Sequence, residues 1–332
     1  MPTDADFAST YRGRAVCVTG GAGFIGSHLA CALVEHGAEV CVLDDLSNGL
    51  ESNLTEIADR IRFVRGSILD QASLKEAIEG AEIVFHLAAI ASVPRSVKEP
   101  ALYVQVNATG TLHVLEAARA AGVQRIVYAA SSSAYGDQAA PGGARVETSP
   151  AHPQSPYAAA KCAGEHMLRA YAHCFDLSCI SLRYFNIFGP RQRPDSPYAA
   201  VIPLITRALL EGRKPVIYGD GRQTRDFTYV ANAVHANLLA GAAANKLRGE
   251  VVNIACGRSA SVLDLLAGIA RLLGVELVCQ FAEERIGEVK HSLASIEAAR
   301  RLIGYEPVVD FQEGLKRTVA YHVDVFGGRG RA

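Results

Sequence analysis

The sequence predicts an α/β protein built on a doubly wound parallel sheet, with a smaller C-terminal α/β domain. From Arg14 onward, short apolar runs alternate with helical patterns. The runs are rich in Val, Ile and Ala at successive positions, which is typical of strands covered by helices on both faces. The alternation breaks in the Pro-, Arg- and Gly-rich stretch FGPRQRPDSPYAAVIP, which indicates the crossing into a second domain.

The elements follow in a regular order. The strand AVCVTG precedes the helix FIGSHLACALVEHG and the strand AEVCVLDD. The order continues through RIRFVRGSIL, SLKEAIEG, AEIVFHLAA, ALYVQVNATGTLHVLEAARAAG, RIVYAASS, a helix containing YAAAK, and LSCISLRYFN. We expect residues 13–190 to form the large domain and residues 226–256 to return to it. Residues 191–225 and 257–325 are expected to form the smaller, substrate-binding domain.

The composition limits the classes of function. The chain has 332 residues and a formal net charge of -1, so no general electrostatic attraction draws it to nucleic acid or to anionic membranes. It shows no signal-peptide pattern and no apolar run long enough to span a bilayer, and we expect a cytoplasmic protein. The eight cysteines lack zinc-site spacing, so we expect buried free thiols and no metal.

A dinucleotide site is predicted where the first strand meets the first helix, in TGGAGFIG. Gly20, Gly23 and Gly26 allow a tight turn, close approach of a pyrophosphate to the backbone, and close packing of helix on sheet. Asp44 follows at the end of the next strand, where an acidic side chain suits a ribose 2′-hydroxyl and repels a 2′-phosphate. The pattern favours NAD over NADP.

A tyrosine and a lysine share one helix face in QSPYAAAKCAGE. Tyr157 and Lys161 are four residues apart, while Ser155 is suited to the N-cap and Pro156 to the first helical position. A nearby ammonium lowers the pKa of a phenol, and the cationic nicotinamide of oxidised NAD would lower it further. Tyr157 is therefore predicted to act as a base near neutral pH.

Three serines follow the strand RIVYAA. Ser131, Ser132 and Ser133 are expected at the carboxyl edge of the sheet, where ligands of such folds bind. A hydroxyl there could pass a proton between a substrate and Tyr157.

Together these motifs resemble the extended short-chain dehydrogenase/reductase family, with its Rossmann fold. The resemblance extends from VTGGAGFIGSH through LDDLSNG, HLAAIASVPRSV, NATGTLHVLEAA, SSSAYGD, SPYAAAK, LRYFNIFGPRQ and GDGRQTRDFTYV to ERIGEVKHSLASI. Within that family the pattern is similar to UDP-hexose 4-epimerases, and most similar to the branch acting on UDP-N-acetylhexosamines. The resemblance implies bound NAD, a UDP-sugar substrate and a homodimer with a four-helix seam. The helices ALYVQVNATGTLHVLEAARAAG and YAAAKCAGEHMLRAYAHCF carry apolar surface that is compatible with this seam and equally with ordinary core packing.

The resemblance also implies a mechanism. NAD takes hydride from carbon 4 of the sugar, Tyr157 acts as base and then acid, and the 4-keto sugar turns over before reduction from its other face. Lys161 lowers the tyrosine pKa and binds the nicotinamide ribose. Ser131 relays the proton.

Further residues are assigned by resemblance. Cofactor contacts are expected from Gly20, Gly23, Phe24, Ile25, Gly26, Asp44, Asp45, Asn48, Ser67, Ile68, Leu87, Ala88, Ala89, Asn107, Tyr157, Lys161 and Tyr184. Substrate contacts are expected from Ser131, Ser132, Ser133, Asn186, Gln192, Val201, Tyr218, Arg225, Arg285 and Ser292. Asn186, Arg225 and Arg285 are expected to hold the diphosphate, a role that suits the donor fork of arginine.

Ser292 occupies the position where the family carries a residue beside the sugar. A tyrosine there leaves room for plain hexoses only, whereas a small serine admits a 2-acetamido group, so UDP-GlcNAc/UDP-GalNAc interconversion is favoured. The chain departs from the family pattern at Ser67, Glu288 and Ser295, which stand where aspartate is usual. Ser295 would still serve as a helix cap.

Several alternatives remain open. A nucleotide-sugar 4,6-dehydratase needs an acid pair after the serine, and a decarboxylase usually has a Ser-Glu pair, but this chain has Ser132 and Ser133 there. A UDP-N-acetylhexosaminuronate 4-epimerase needs a basic group for the carboxylate, for which Arg95 is a candidate. A non-catalytic NAD-binding sensor and a plain sugar dehydrogenase are also consistent with the cofactor motif.

Overall fold

The computed structural model describes residues 4–137, 143–192, 201–283 and 291–327. Its centre is a sheet of seven parallel strands in the order β11-β6-β5-β4-β1-β2-β3. The strands are β1 Ala15–Thr19, β2 Glu39–Asp44, β3 Ile61–Arg65, β4 Ile83–His86, β5 Arg125–Ser131, β6 Ser178–Tyr184 and β11 Arg248–Ile254. The doubly wound parallel sheet predicted from the sequence is confirmed.

Helices cover both faces of this sheet. The α-helices of the described residues, including those that lie beside the sheet, are α1 Asp4–Tyr11, α2 Phe24–Glu35, α3 Gln71–Ile78, α4 Val93–Lys98, α5 Pro100–Val104, α6 Gly110–Ala120, α7 Pro156–Cys174, α8 Val201–Leu210, α9 Val230–Ala242, α10 Val262–Leu273, α11 Glu297–Ile303 and α12 Phe311–Gly327. Short 3₁₀ helices span Glu51–Arg60 and Ser132–Tyr135. Helices α2 and α9 pack on one face, and α3, α6 and α7 on the other.

Strand residues alternate between the two apolar layers. In β1, Val16 and Val18 join the layer under α2 and α9, whereas Cys17 joins the opposite layer with Cys41 and Leu43 of β2. Because both faces are buried, the strands contain apolar residues at successive positions, as the sequence showed.

A third apolar cluster lies beside the sheet, where α8, α10 and α12 pack on one another. Short strands accompany it: β7 Ile187–Phe188 pairs with β10 Thr228–Tyr229, β8 Val216–Tyr218 with β13 Gln280–Ala282, and β9 Thr224–Arg225 with β12 Ala260–Ser261. Strand β11 pairs with β6, so part of the chain after residue 226 does lie in the main sheet. The division into two domains stays a prediction.

The helix expected over ALYVQVNATGTLHVLEAARAAG is interrupted. A π-type turn at Gln105–Thr109 separates α5 from α6. Within it, the Asn107 side chain accepts a hydrogen bond from Ile90 N (2.9 Å) and donates to Ile90 O (3.0 Å). Turns of this kind occur frequently at functional sites, and this one holds the loop after β4.

All eight cysteines are free, as expected. Four of them are buried, whereas Cys31, Cys256 and Cys279 are only partly buried and Cys174 is exposed, unlike the buried thiols expected. None of the described helices is long and apolar enough to cross a membrane. Among the described residues, no group of three or more His, Cys, Asp or Glu side chains could hold a metal ion.

Candidate active site

The glycine turn lies at the carboxyl edge of the sheet, between β1 and α2. Gly20 has a φ of +71°, and a Cβ added there would lie 2.6 Å from Ala88 N. A Cβ at Gly26 would lie 2.1 Å from Gly20 O. The backbone conformation at Gly20 and the close packing at Gly26 therefore exclude larger residues, as the motif predicted.

Asp44 ends β2 beside this turn. Its carboxylate accepts hydrogen bonds from Ala22 N and Leu46 N, both at 2.9 Å. Burial raises the pKa of Asp44, while these backbone donors lower it. The acid thus connects the glycine turn to the loop after β2 and lines the cleft between them.

One continuous cleft brings together the predicted cofactor residues. Of the cofactor-binding residues predicted from the sequence, all except Asn107 line it. Asn107 is 1% exposed and lies behind the cleft, where it holds the backbone of Ile90, itself a lining residue. Its contact with the cofactor stays a prediction, and in the structure its side chain supports the cleft through Ile90. Ser67, one of the departures from the family pattern noted in the sequence, lines the cleft, and its hydroxyl accepts a hydrogen bond from Leu69 N at 3.2 Å.

The start of α7 places the two predicted catalytic side chains. Ser155 caps the helix by accepting a hydrogen bond from Ala158 N (3.1 Å), and Pro156 is its first residue, as predicted. Tyr157 and Lys161 consequently lie one turn apart on the face toward the sheet. Lys161 is 3% exposed and its Nζ donates to Ala129 O at 2.8 Å.

Burial decides the protonation of this pair. It lowers the pKa of Lys161 to about 7, which Glu165 partly offsets. Burial also raises the pKa of Tyr157, while a hydrogen bond with Ser131 lowers it and Tyr103 raises it. We expected Lys161 to lower the pKa of the phenol, but in the protein alone desolvation outweighs other contributions. Oxidised nicotinamide would add a positive charge that favours the phenolate.

Ser131 ends β5 and begins the 3₁₀ turn of the serines. Its Oγ accepts hydrogen bonds from Ser133 N (3.2 Å) and Ser133 Oγ (2.9 Å). The Ser131 hydroxyl can therefore relay a proton between Tyr157 and a neighbouring hydroxyl.

A second cavity adjoins the cofactor cleft, and Tyr157 lines both. The predicted substrate residues Ser131, Ser132, Ser133, Asn186, Arg225 and Ser292 line the second cavity. Gln192, Val201 and Tyr218 do not line it. Arg285 and Glu288 lie outside the described residues. The structure thus gathers six of the ten predicted substrate contacts.

Asp226 connects the segments that carry Asn186, Arg225 and Ser292. Its carboxylate is fully buried and accepts hydrogen bonds from Cys256 N (2.9 Å), Gly257 N (3.0 Å) and Ala294 N (3.3 Å). Its backbone carbonyl accepts one from Asn186 Nδ2 at 3.1 Å. Burial raises the pKa of Asp226 to about 6.

Asn186 Nδ2 also lies 3.4 Å from Ser292 Oγ, and Ser292 N donates to Thr224 O at 3.1 Å. Ser292 therefore occupies the cavity wall with its small side chain beside Asn186. Ser295 Oγ accepts a hydrogen bond from Glu297 N at 3.4 Å. The N-cap position of α11 is nevertheless Ile296, and no side chain caps the helix, so the expectation that Ser295 is the helix cap is wrong.

Sequence reasoning missed several residues of this second cavity. They are Val93, Pro94, Tyr135, Gly136, Arg145, Gln154, Ser155, Ala158 and Phe185. Arg145 is the one charged residue among them, and it is 7% exposed. A buried arginine is uncommon, but nothing in GGARVETS distinguishes it from a solvated surface residue before the chain is folded.

The cleft fits a dinucleotide. Its lining includes the glycine turn at a helix N-terminus, small apolar residues such as Ala88 and Ala89, and the carboxylate of Asp44 at the end of β2. These are the features that bind a pyrophosphate, admit flat rings and select against a 2′-phosphate.

Comparison with known proteins agrees with this geometry. Residues 16–255 match the model of the NAD dependent epimerase/dehydratase family. The chain is 40% identical over 309 residues to the UDP-glucose 4-epimerase of Mycolicibacterium smegmatis, covering 92% of this chain and 97% of that relative.

Two solved structures are also similar. One is the UDP-N-acetylglucosamine 4-epimerase from Methanobrevibacter ruminantium in complex with UDP-N-acetylmuramic acid, with a TM-score of 0.89, 38% identity, and coverage of 95% of this chain and 99% of that one. The other is the Thermus thermophilus UDP-glucose 4-epimerase complex with NAD, with a TM-score of 0.83, 34% identity, and coverage of 96% and 100%. The cofactor motif, the paired cavities and these similarities together show that this chain belongs to the NAD-dependent epimerase/dehydratase family.

Proposed function

We propose that this protein is a UDP-sugar 4-epimerase that interconverts UDP-GlcNAc and UDP-GalNAc. The observation that carries the proposal is that Tyr157 lines both the cofactor cleft and the adjoining polar cavity. A base at this junction can remove a proton from a sugar hydroxyl held beside the cofactor. Similar proteins named as UDP-sugar 4-epimerases support the same reaction.

When bound, NAD supplies a reversible hydride acceptor for carbon 4 of the sugar. The protein moves the accompanying proton: Ser131 Oγ takes it from the sugar hydroxyl and passes it to the Tyr157 phenolate oxygen. Lys161 lies one turn along α7, where its charge favours that phenolate. In the return step Tyr157 gives the proton back, so it serves as base and acid in turn.

The remaining cavity residues are proposed to bind the nucleotide sugar. Arg225 holds the diphosphate, a role that suits a guanidinium. Asn186 and the serines contact polar groups of the substrate, and Ser292 leaves space for a 2-acetamido group. The preference for acetamido sugars rests on the size of this one side chain.

The alternatives fit the site less well. Arg95, a candidate for binding a uronate carboxylate, forms a bidentate ion pair with Glu99 (2.9 Å for both contacts) and does not line the second cavity. Ser132 and Ser133 stand where a dehydratase requires an acid pair. Neither observation favours a second function over epimerisation.

An NMR time course tests the proposal. Purified protein is mixed with UDP-GlcNAc, and separately with UDP-glucose, without added NAD and then with it. We expect UDP-GlcNAc to reach an equilibrium mixture with UDP-GalNAc faster than the plain hexoses exchange. Exchange of the plain hexoses alone would support an epimerase but show that Ser292 does not confer a preference for acetamido sugars. The absence of any exchange with NAD present would overturn the proposal.

We also propose a homodimer. Helices α5, α6 and α7 present small or apolar side chains away from the sheet, including Val104 (49% exposed), Leu112 (38% exposed) and the exposed Ala159. A second copy of the same face would bury them, as a two-fold symmetric interface does.

A further inference from the structure

The segment 143–147, here named the bridging segment, runs between two walls of the second cavity. Its backbone pairs with the chain beyond Ser292: Arg145 N donates to Leu293 O at 2.7 Å, and Ser295 N donates to Arg145 O at 2.9 Å. This forms an isolated parallel bridge of Arg145 with Ala294. The bridging segment is therefore attached to the wall that carries Ser292.

The side chain of Arg145 extends to the opposite wall. Its Nη1 donates to Tyr135 O and its Nη2 to Gly136 O, both at 3.2 Å. These carbonyls end the 3₁₀ turn that starts after Ser131. A guanidinium can serve two carbonyls at once because its donors are held in a rigid planar fork. One residue thus connects the serine turn to the wall that carries Ser292.

The Asn253 side chain reinforces this connection. Its Nδ2 donates to Arg145 O and Ser295 O, both at 3.1 Å, and its Oδ1 accepts a hydrogen bond from Tyr135 OH at 2.7 Å. Asn253, Tyr135 and Arg145 are buried, and an unpaired polar group in such surroundings would be costly. The arrangement is therefore specific rather than a chance contact.

The network continues to the catalytic helix. The Tyr135 ring lies 4.6 Å from the guanidinium carbon of Arg183. Arg183 forms a buried bidentate ion pair with Glu165 of α7, at 2.7 and 2.6 Å. Glu165 is one turn beyond Lys161, so the serine turn and the helix of the base are held by one contiguous set of contacts.

We propose that Arg145 is a positioning residue that fixes the distance between the serine turn of residues 131–136 and the wall of residues 291–295. Reaction geometry is sensitive to displacements of about 1 Å, and neither wall is attached to the other by consecutive backbone. The kinetic consequences of this inference rest on the proposed epimerase function, but the structural consequence does not.

Hydrogen exchange tests the structural consequence without any substrate. In Arg145→Ala we expect amides in residues 131–136 and 291–295 to exchange roughly tenfold faster or more, because two charge-assisted hydrogen bonds are lost. The matched control is Arg125→Ala. Arg125 likewise donates to two backbone carbonyls, those of Gly241 (3.0 Å) in the last turn of α9 and Asn245 (2.9 Å) just beyond it. These contacts lie at the opposite edge of the sheet. Faster exchange in only one of the two walls, or equal effects in both variants, would overturn the inference.

Kinetics then distinguish positioning from general stability. We expect Arg145→Ala to lower kcat by about tenfold to hundredfold with unchanged NAD affinity, while Arg125→Ala lowers stability and leaves kcat and KM near wild type. Added guanidinium ion should restore part of the lost kcat of Arg145→Ala, and sodium chloride at equal ionic strength should not. Failure of guanidinium to restore any activity in a folded variant contradicts the donor role.

Two milder variants cover the case in which Arg145→Ala does not fold. Arg145→Lys keeps the charge but has no planar fork, and Tyr135→Phe removes only the hydroxyl that reaches Asn253. Both should show faster exchange in the two walls, with smaller effects for Tyr135→Phe. If wild-type protein turns over no UDP-sugar, the proposed function fails, while the exchange result still decides the role of Arg145.

Discussion

At the scale of single residues, the proposed chemistry depends on Tyr157 and its immediate neighbours. The tyrosine lies where two cavities meet, next to the Ser131 hydroxyl and one helical turn from Lys161. Their spacing follows from helix geometry, whereas their pKa values follow from burial.

Tyr157→Phe should fold, bind NAD and lose turnover by about two to four orders of magnitude, since general acid–base catalysis contributes about this much. Turnover is measured by NMR exchange of UDP-sugars, and NAD binding by calorimetry. Tyr171→Phe, a hydroxyl removal further along the same helix, is the control and should retain activity. Near-normal turnover of Tyr157→Phe would show that another group is the base.

Lys161→Met should abolish turnover and raise the free energy of unfolding of the cofactor-free protein. A buried ammonium costs free energy that an apolar side chain of similar length does not. Between the lowered pKa of about 7 and the ordinary value of 10.5, the unfolded chain binds more protons than the folded one. The contribution of Lys161 to the free energy of unfolding of the wild-type protein therefore rises with pH between these two pKa values, by at most about 1.4 kcal/mol per pH unit.

The stability advantage of Lys161→Met should consequently be largest below about pH 7 and shrink at higher pH. Denaturant titrations across this range measure it, with exposed Lys75→Met of α3 as the control. A stability difference that does not change with pH would contradict a depressed lysine pKa.

At the scale of elements, the strand–turn–helix unit β1–α2 is the part of the fold proposed to position the cofactor. Its turn brings the backbone of Gly20 against Ala88 after β4, and α2 begins directly at the cleft. The unit works because nothing larger than hydrogen occupies the space between Gly26 and Gly20.

Gly26→Ala should weaken NAD binding by about tenfold to hundredfold. The added Cβ would lie 2.1 Å from Gly20 O, and relief of such overpacking typically costs about 1–3 kcal/mol. Fluorescence or calorimetric titration of NAD measures the loss. Gly122→Ala is the control, because φ there is +70° but no atom lies within 4 Å of the added Cβ; it should cost stability and leave NAD affinity unchanged.

At the scale of the whole molecule, the second cavity is assembled from segments far apart in sequence. Pro94, Ser131, Arg225 and Ser292 all line it, although almost two hundred residues separate the first from the last. Under the proposed function, substrate preference therefore depends on how these segments pack, and Ser292 is its most accessible test.

Ser292→Tyr should lower activity on UDP-GlcNAc by at least about tenfold relative to UDP-glucose, because the larger ring fills space that an acetamido group needs. Ser292→Ala keeps a small side chain and should preserve the wild-type preference. The ratio of kcat/KM for the two substrates is the measurement. An unchanged ratio in Ser292→Tyr would show that this position does not select the sugar.

The proposed homodimer is also tested at the scale of the whole molecule. Leu112→Glu should shift the protein from dimer to monomer, since a charge would be buried at the proposed face. Leu277→Glu, at another exposed apolar position (57% exposed), is the control and should not. Light scattering after size-exclusion chromatography measures the mass, and a wild-type monomer would end the dimer proposal.

Much of the cofactor site was predictable because its signals are local. The glycine turn, Asp44 at the end of the next strand, and the Tyr157–Lys161 pair each depend on fixed spacing along a strand or helix. The parallel sheet follows from apolar residues at successive positions in strands separated by helices. For these features, neighbours in sequence are also neighbours in space.

Other features were decided only by tertiary structure. The interrupted helix at Asn107, the link made by Arg145, and the burial that lowers the pKa of Lys161 depend on contacts between distant segments. The short N-terminal helix α1 likewise acquires its place through Tyr11, whose hydroxyl donates to Leu238 O at 2.7 Å. Periodicity reports which residues share a face, but desolvation and long-range hydrogen bonds exist only after the faces have packed.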